Sequence, residues 1–194
     1  MKKQHSRFIK VMLAVYLFVF VLGEGLSLLE KRNSEEGGLS FSLENKTVPS
    51  SVLFNVESGE SEVFIDYRDG EWPPVTIVNW WGSWCSICME EFPTFRKWGM
   101  LWNQCEEQNP GSCPVLLGVA FDDNLEDVEK IIETFGLVHS NWIDQDGEVL
   151  VNWGVGGAPE TYFIDSSGLI RKKVVGLITE EELLDTIDWI MKND

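Results

Sequence analysis

The feature that most constrains this chain is Val75-Thr76-Ile77-Val78-Asn79-Trp80, followed shortly by Trp84-Cys85-Ser86-Ile87-Cys88. A β-rich, largely apolar run reads as a strand buried on both faces, which requires a sheet covered on each side. A helix is predicted over about residues 86–104, directly after it. Two intervening residues in a first helical turn bring the two sulfurs close enough to bond. The N-terminal sulfur then lies at the positive end of the helix, beside N–H groups that have no partner within it. That position favours thiolate over thiol, and thiolate is the attacking species. Cys85 is therefore the candidate nucleophile and Cys88, one turn deeper, the candidate resolving thiol. A buried structural disulfide and half of a metal site are the competing readings of a lone Cys-x-x-Cys, and the strand–motif–helix context favours redox chemistry over both.

The rest of the chain supplies the sheet and its cover. Residues 51–56 and 62–67 are short alternating stretches around Glu57-Ser58-Gly59-Glu60, the pattern of a hairpin. Residues 115–121 form a second buried run. Residues 124–135 carry Leu125, Val128, Ile131 and Ile132 at helical spacing, with Asn124 as N-cap. Residues 161–164 and 169–175 flank Asp165-Ser166-Ser167-Gly168, a second hairpin signal. Thr179 followed by Glu182 predicts a capping box before a helix whose apolar face is Leu183, Leu184, Ile187 and Ile190. The order β-β, β-α-β-α, β-β-α describes an α/β domain with a mixed central sheet.

The first ten residues hold Lys2, Lys3, Arg7 and Lys10 and no acid, and residues 11–22 are unbroken apolar sequence. A basic flank before an apolar run is an export signal, with the basic side kept in the cytoplasm. Residues 11–29, about 28 Å long as a helix at ~1.5 Å per residue, just span a bilayer core as an uncleaved anchor. Residues 11–22 equally fit the core of a cleaved signal peptide, with Gly23 or Gly25 at the cut. A core helix of a soluble domain is the third reading. Residues 1–30 are thus a signal anchor or signal peptide, 31–47 a polar linker and 48–194 the folded domain. Either export reading places the domain outside the cytoplasm, in the periplasm or its equivalent.

The chain has 194 residues and a formal net charge of -17. With the four basic leader residues and Glu24 and Glu30 set aside, 11 basic residues face 30 acidic ones. Phosphate neutralisation needs basic clusters, so nucleic-acid binding is disfavoured. The histidines are His5 and His139, neither cysteine pair precedes a histidine, and a two-Cys, two-His zinc site is not expected. No metal or other cofactor is expected. Cys105 and Cys113 flank a short loop with Asn109-Pro110-Gly111. Exported thiols form lasting disulfides, so a structural bridge closing that loop is expected, with two free thiols as the alternative.

Residues 78–93, Val-Asn-Trp-Trp-Gly-Ser-Trp-Cys-Ser-Ile-Cys-Met-Glu-Glu-Phe-Pro, resemble the active-site segment of membrane-anchored bacterial thioredoxin-like proteins. These are the TlpA/ResA group and the cytochrome c maturation proteins of CcmG (DsbE) type. Gly157-Ala158-Pro159-Glu160-Thr161 is closer still to the CcmG type. The resemblance covers roughly residues 48–192 and implies a thioredoxin fold with an N-terminal β-hairpin extension. It also implies a cis peptide bond before Pro159, packed against the thiol pair. The backbone of Ala158 would then be exposed to pair with an extended substrate, with Trp84 beside it. Glu91 and Glu160 match the family's acids and are candidates for tuning the thiols. Ser86-Ile87 departs from relatives that carry proline after the first cysteine, which leaves the direction of electron flow open. Cys105 and Cys113 lie outside the family pattern.

The resemblance implies a thiol–disulfide oxidoreductase, first a reductase that keeps the haem-attachment cysteines of apocytochrome c reduced. Its electrons would come from a membrane donor of DsbD/CcdA type. The competing readings are a general exported protein acting on copper-site or other disulfides, and a redox-inert adaptor or soft-metal chaperone.

Overall fold

The computed structural model describes residues 44–65 and 72–194. The expected signal anchor or signal peptide (residues 1–30) and most of the expected linker (residues 31–47) lie outside the described residues. Among the described residues, no helix is long and apolar enough to cross a membrane.

Seven strands form one mixed sheet: β1 (Val52–Asn55), β2 (Ser61–Val63), β3 (Val75–Trp81), β4 (Val115–Phe121), β5 (Ser140–Asp144), β6 (Glu160–Asp165) and β7 (Ile170–Val175). Their spatial order is β2-β1-β5-β4-β3-β6-β7. β3, β4 and β5 run parallel, β6 is antiparallel to β3 and β7 to β6, and β1 is antiparallel to both β2 and β5. Every residue of β3 is buried, as its apolar run requires of a strand near the middle of the sheet.

Side-chain alternation divides the core in two. Ile77 and Trp81 of β3 and Phe163 of β6 face one way, while Val78, Trp80, Tyr162 and Ile164 face the other. Helix α1 (Cys88–Gln108) covers the first face with Phe92, Phe95 and Trp102. Helix α2 (Leu125–Phe135) adds Val128, and the C-terminal helix, Glu180–Asn193, adds Leu183, Ile187 and Ile190. Removing one such large side chain typically costs about 3 to 5 kcal/mol for an aromatic. The opposite face is covered by the short helix α3 (Glu148–Asn152) and by Trp153, Val155, Leu53 and Phe64. We call the C-terminal helix α4.

The expected α/β sheet, its N-terminal hairpin and the helix caps at Asn124 and Thr179 are present. Four details differ. β5 and α3 were not expected, because Ser140 and Asn141 interrupt the apolar run; Asn141 is buried with its side-chain amide on the His139 carbonyl at 2.7 Å. α1 begins at Cys88 and runs to Gln108, so Cys85 lies in the turn before it and Cys105 inside its last turn. The capping box is half built. Thr179 Oγ1 accepts from the Glu182 N–H at 3.1 Å, but the Glu182 carboxylate is drawn to Lys172 at 2.9 Å. Finally, the end of the linker is paired: Asn45 N–H donates to Ile170 O, Ile170 N–H to Lys46 O, and Val48 N–H to Gly168 O.

Candidate active site

The turn between β3 and α1 is held from outside. The Ser83 N–H and hydroxyl donate to the two carboxylate oxygens of Asp123 at 2.5 and 2.8 Å, across the loop after β4. Trp84 is half exposed, its ring edge-on to Phe121, and its Nε1 donates to the carbonyls of Phe121 and Asp122 at 3.3 and 3.1 Å. The indole lies over Gly82, where a Cβ would come within 2.5 Å of Trp84 Cε2; that close approach requires glycine.

Cys85 and Cys88 are bonded, with S–S 2.02 Å and Cα–Cα 5.3 Å. The structure is therefore that of the oxidised protein. Cys88, the first residue of α1, is fully buried, and Cys85 is buried too but retains 5 % exposure, so Cys85 is the more accessible residue of the pair. The Cys88 N–H points at Cys85 Sγ at 3.1 Å. On reduction this N–H and the helix terminus would hold negative charge on Cys85 rather than on the deeper sulfur.

Glu91 follows Cys88 by three residues and shares its buried face of α1. It is 1 % exposed. One carboxyl oxygen accepts from the Ile178 N–H at 2.6 Å and the other from Asn79 Nδ2 at 3.4 Å, while Asn79 Nδ2 also donates to Thr161 Oγ1 at 3.1 Å. Burial pushes the Glu91 carboxyl up to about 7, against the opposing pull of the Ile178 N–H and the Asn79 amide. A carboxyl with that value exchanges protons at neutral pH.

Pro159 is buried behind a cis Ala158–Pro159 peptide bond, and its carbonyl accepts from Gly176 N–H at 2.8 Å. Ala158 is half buried and packs against both cores. Glu160 is not with the thiols. In the β3–β6 register it sits opposite Trp80, while Thr161 sits opposite Asn79. Strand alternation therefore turns Glu160 to the sheet face away from Cys88 and Glu91, where it pairs with Lys173 at 2.8 Å.

At the far end of α1, Cys105 and Cys113 are joined, with S–S 1.85 Å and Cα–Cα 6.0 Å. Among the described residues, no group of three or more His, Cys, Asp or Glu side chains is placed to hold a metal ion. Sequence reasoning missed Asn79, Thr161, Ile178 and Asp123. A buried asparagine in the middle of an apolar strand was the one available signal, since such a group needs a hydrogen-bond partner.

Comparison with known proteins agrees with this geometry. No family model matches the chain. A thiol-disulfide oxidoreductase ResA from Geobacillus thermodenitrificans is 29 % identical over 190 residues, covering 98 % of this chain and 99 % of that one. A thiol:disulfide interchange protein DsbE from Pseudomonas fluorescens is 33 % identical over 128 residues, covering 66 % of this chain and 65 % of that one. The solved structure of a thioredoxin-family thiol:disulfide interchange protein from Chlorobium tepidum superposes with a TM-score of 0.60 at 19 % identity. It covers 75 % of this chain and 95 % of that one, and it speaks for the fold alone. A thioredoxin-like sheet presenting a bonded Cys-x-x-Cys pair at a helix N-terminus is the frame of a thiol–disulfide oxidoreductase, and this chain is one. Within that class, the sequences it is similar to carry the names ResA and DsbE.

Proposed function

We propose that this protein is an extracytoplasmic reductase of protein disulfides that keeps the haem-attachment cysteines of apocytochrome c reduced. The single observation that carries its chemistry is the Cys88 N–H at 3.1 Å from Cys85 Sγ, with Cys85 the less deeply buried residue of the pair. In the reduced enzyme the Cys85 thiolate attacks one sulfur of the substrate disulfide, and the other leaves as a thiolate. Cys88, deprotonated, then attacks Cys85 Sγ, releases the second substrate thiolate and closes the bond seen here. Two electrons pass from the enzyme dithiol to the substrate. Glu91, with a carboxyl near 7, is suited to take the Cys88 proton. A membrane dithiol donor of DsbD/CcdA type restores the reduced pair.

The substrate segment lies extended along Ala158 and Pro159, with Trp84 beside it, and main-chain hydrogen bonds set its register. Cys105 and Cys113 serve as a structural bridge. Residues 48–194 act as one domain, held at the membrane by residues 11–29 with the domain facing outward. The Gly157-Ala158-Pro159-Glu160-Thr161 segment and relatives named DsbE support the cytochrome c assignment.

Deletion of the gene tests the pathway. Loss of covalent haem from c-type cytochromes, restored by added reductant, is the expected result. Normal c-type cytochromes beside a defect in copper-site or general disulfide chemistry would replace the substrate class. A soluble mature protein beginning near Glu24 would replace the anchor by a cleaved signal.

A further inference from the structure

We infer that Glu160, together with Lys173 and Tyr162, is a positioning group that holds the loop before Pro159 in its substrate-binding shape, and that it does not act on the sulfurs. This rests on the reading of Ala158 and Pro159 as the substrate edge. The loop is Gly154-Val155-Gly156-Gly157-Ala158, three glycines in five residues. Glycine gives a loop the widest choice of backbone conformations, so its shape must be imposed by other groups. Gly157 has open space where a Cβ would be, so steric fit does not impose it there.

Side chains of β6 and β7 supply the constraint. Glu160 Oε1 accepts from the Gly156 N–H at 3.0 Å, and Oε2 receives Lys173 Nζ at 2.8 Å. Lys173 Nζ also donates to Gly154 O at 2.8 Å. The single Tyr162 hydroxyl proton goes to Trp153 O at 2.8 Å, with Glu160 Oε2 a further 3.3 Å neighbour. Two carbonyls and one N–H of the stretch 153–156 are thus fixed by three side chains anchored in adjacent strands. Register explains the grouping: Tyr162 lies opposite Lys173, and Glu160 lies opposite Val175. The Lys173 ammonium sits 5.2 Å from the Tyr162 ring centroid, and that ring is edge-on to Trp153. Glu160 and Tyr162 are almost fully buried, so these contacts are shielded from water.

The consequence for function is preorganisation. A loop already held in its bound shape does not have to be ordered when the substrate strand arrives, and that saving appears in KM. Small thiols, which need no strand pairing, are indifferent to it.

The test uses the full chain with two readouts. One is steady-state reduction of a disulfide-bearing peptide; the other is reduction of the Cys85–Cys88 bond by dithiothreitol. Glu160→Gln and Tyr162→Phe are expected to raise the peptide KM about tenfold, with kcat and the dithiothreitol rate nearly unchanged. The double variant Glu160→Gln with Lys173→Gln avoids a part-buried ammonium without its carboxylate and carries the test where the single change fails to fold. An unchanged peptide KM in folded variants overturns the inference. So does an altered equilibrium of the thiol pair with glutathione at unchanged KM, which would make Glu160 an electrostatic partner of the sulfurs. Wild-type protein showing no saturable peptide turnover would instead sink the substrate-edge reading, and this inference with it.

Discussion

Helix α1 carries a disulfide at each end, and the two ends place the same chemical group in opposite surroundings. At the N-terminus, Cys85 Sγ receives the Cys88 N–H at 3.1 Å and meets the positive end of the helix. At the C-terminus, Cys105 lies in the last turn, where its own carbonyl accepts the Asn109 N–H at 2.8 Å and no basic side chain offsets the negative end. A thiolate is favoured at the first end and disfavoured at the second. The first pair spans 3 positions and leaves Cys85 slightly exposed, at 5 %, whereas the second spans 8 and buries Cys113 fully. Under the proposed function, the first end serves exchange and the second holds the end of α1 to the segment before β4.

The sharpest break in that comparison is a cysteine exchange at the N-terminal end. Cys85→Ser should reduce peptide turnover to background, a fall of at least about a thousandfold. Cys88→Ser should accumulate a mixed disulfide through Cys85, visible as a mass adduct. Adducts forming equally well in Cys85→Ser would reverse the assigned roles.

Glu91 is the next largest effect, and it marks the N-terminal end as the one coupled to protons. Its carboxyl titrates near 7 in the native protein against 4.5 ordinarily, so the native state keeps a proton that the unfolded chain has released. Stability from this group therefore falls as pH rises from about 4.5 to about 7 and is level above, with a total near 3 kcal/mol at most. Glu91→Gln should flatten that dependence in denaturant titrations between pH 4.5 and 7.5, and should remove a step near pH 7 from the rate of mixed-disulfide resolution. A stability curve unaltered by the substitution would place the Glu91 carboxyl in water.

Much of this contrast is legible in the sequence, but unevenly. The buried run before Cys85 announces a central strand, and the hairpin signals at residues 57–60 and 165–168 locate two strand pairs, because turn chemistry and alternation act over a few residues. The partners of Glu91 are not legible: Ile178 is 87 positions away, and only the crossing of α1 over the β7–α4 connection brings its N–H to the carboxyl. The facing of Glu160 depends on strand register. A one-residue step from Thr161 decides whether it meets the thiols or Lys173, and a motif match does not carry that information. β5 escapes notice because Ser140 and Asn141 read as polar, although Asn141 is buried with its amide N–H donating locally to the His139 carbonyl.

At the C-terminal end, replacing Cys105 and Cys113 together by Ala should cost about 2.5 kcal/mol for a separation of 8 residues, with thiol–disulfide turnover retained. Denaturant unfolding of the double variant beside a peptide-reduction assay measures both. Turnover falling in proportion to stability, at temperatures where the protein stays folded, would join the two ends into one functional unit and erase the contrast drawn above.

The smallest effects compare the side chains that dress each end. Asp123 accepts both the N–H and the hydroxyl of Ser83, fixing the turn that presents Cys85. Glu106 accepts the Gly111 N–H at 2.7 Å inside the loop that Cys105 and Cys113 close. Hydrogen bonds to a charged acceptor are worth about 1.5 to 3 kcal/mol when shielded and less at a partly exposed site, so Asp123→Ala and Glu106→Ala should each cost about 1 kcal/mol. Their effects on chemistry should differ although their effects on stability match. Loss of Asp123 frees the Ser83 turn and lets Trp84 and Cys85 drift from the Cys88 N–H, which should slow attack by Cys85 on a model disulfide several-fold. Loss of Glu106 leaves the Cys105–Cys113 bond to hold its loop, and the same rate should stay within experimental error. Stopped-flow rates of Cys85 alkylation in the reduced variants make the comparison directly. Equal rates for both would show that the N-terminal turn is held by the helix alone, and that the Asp123 contacts serve only the loop after β4.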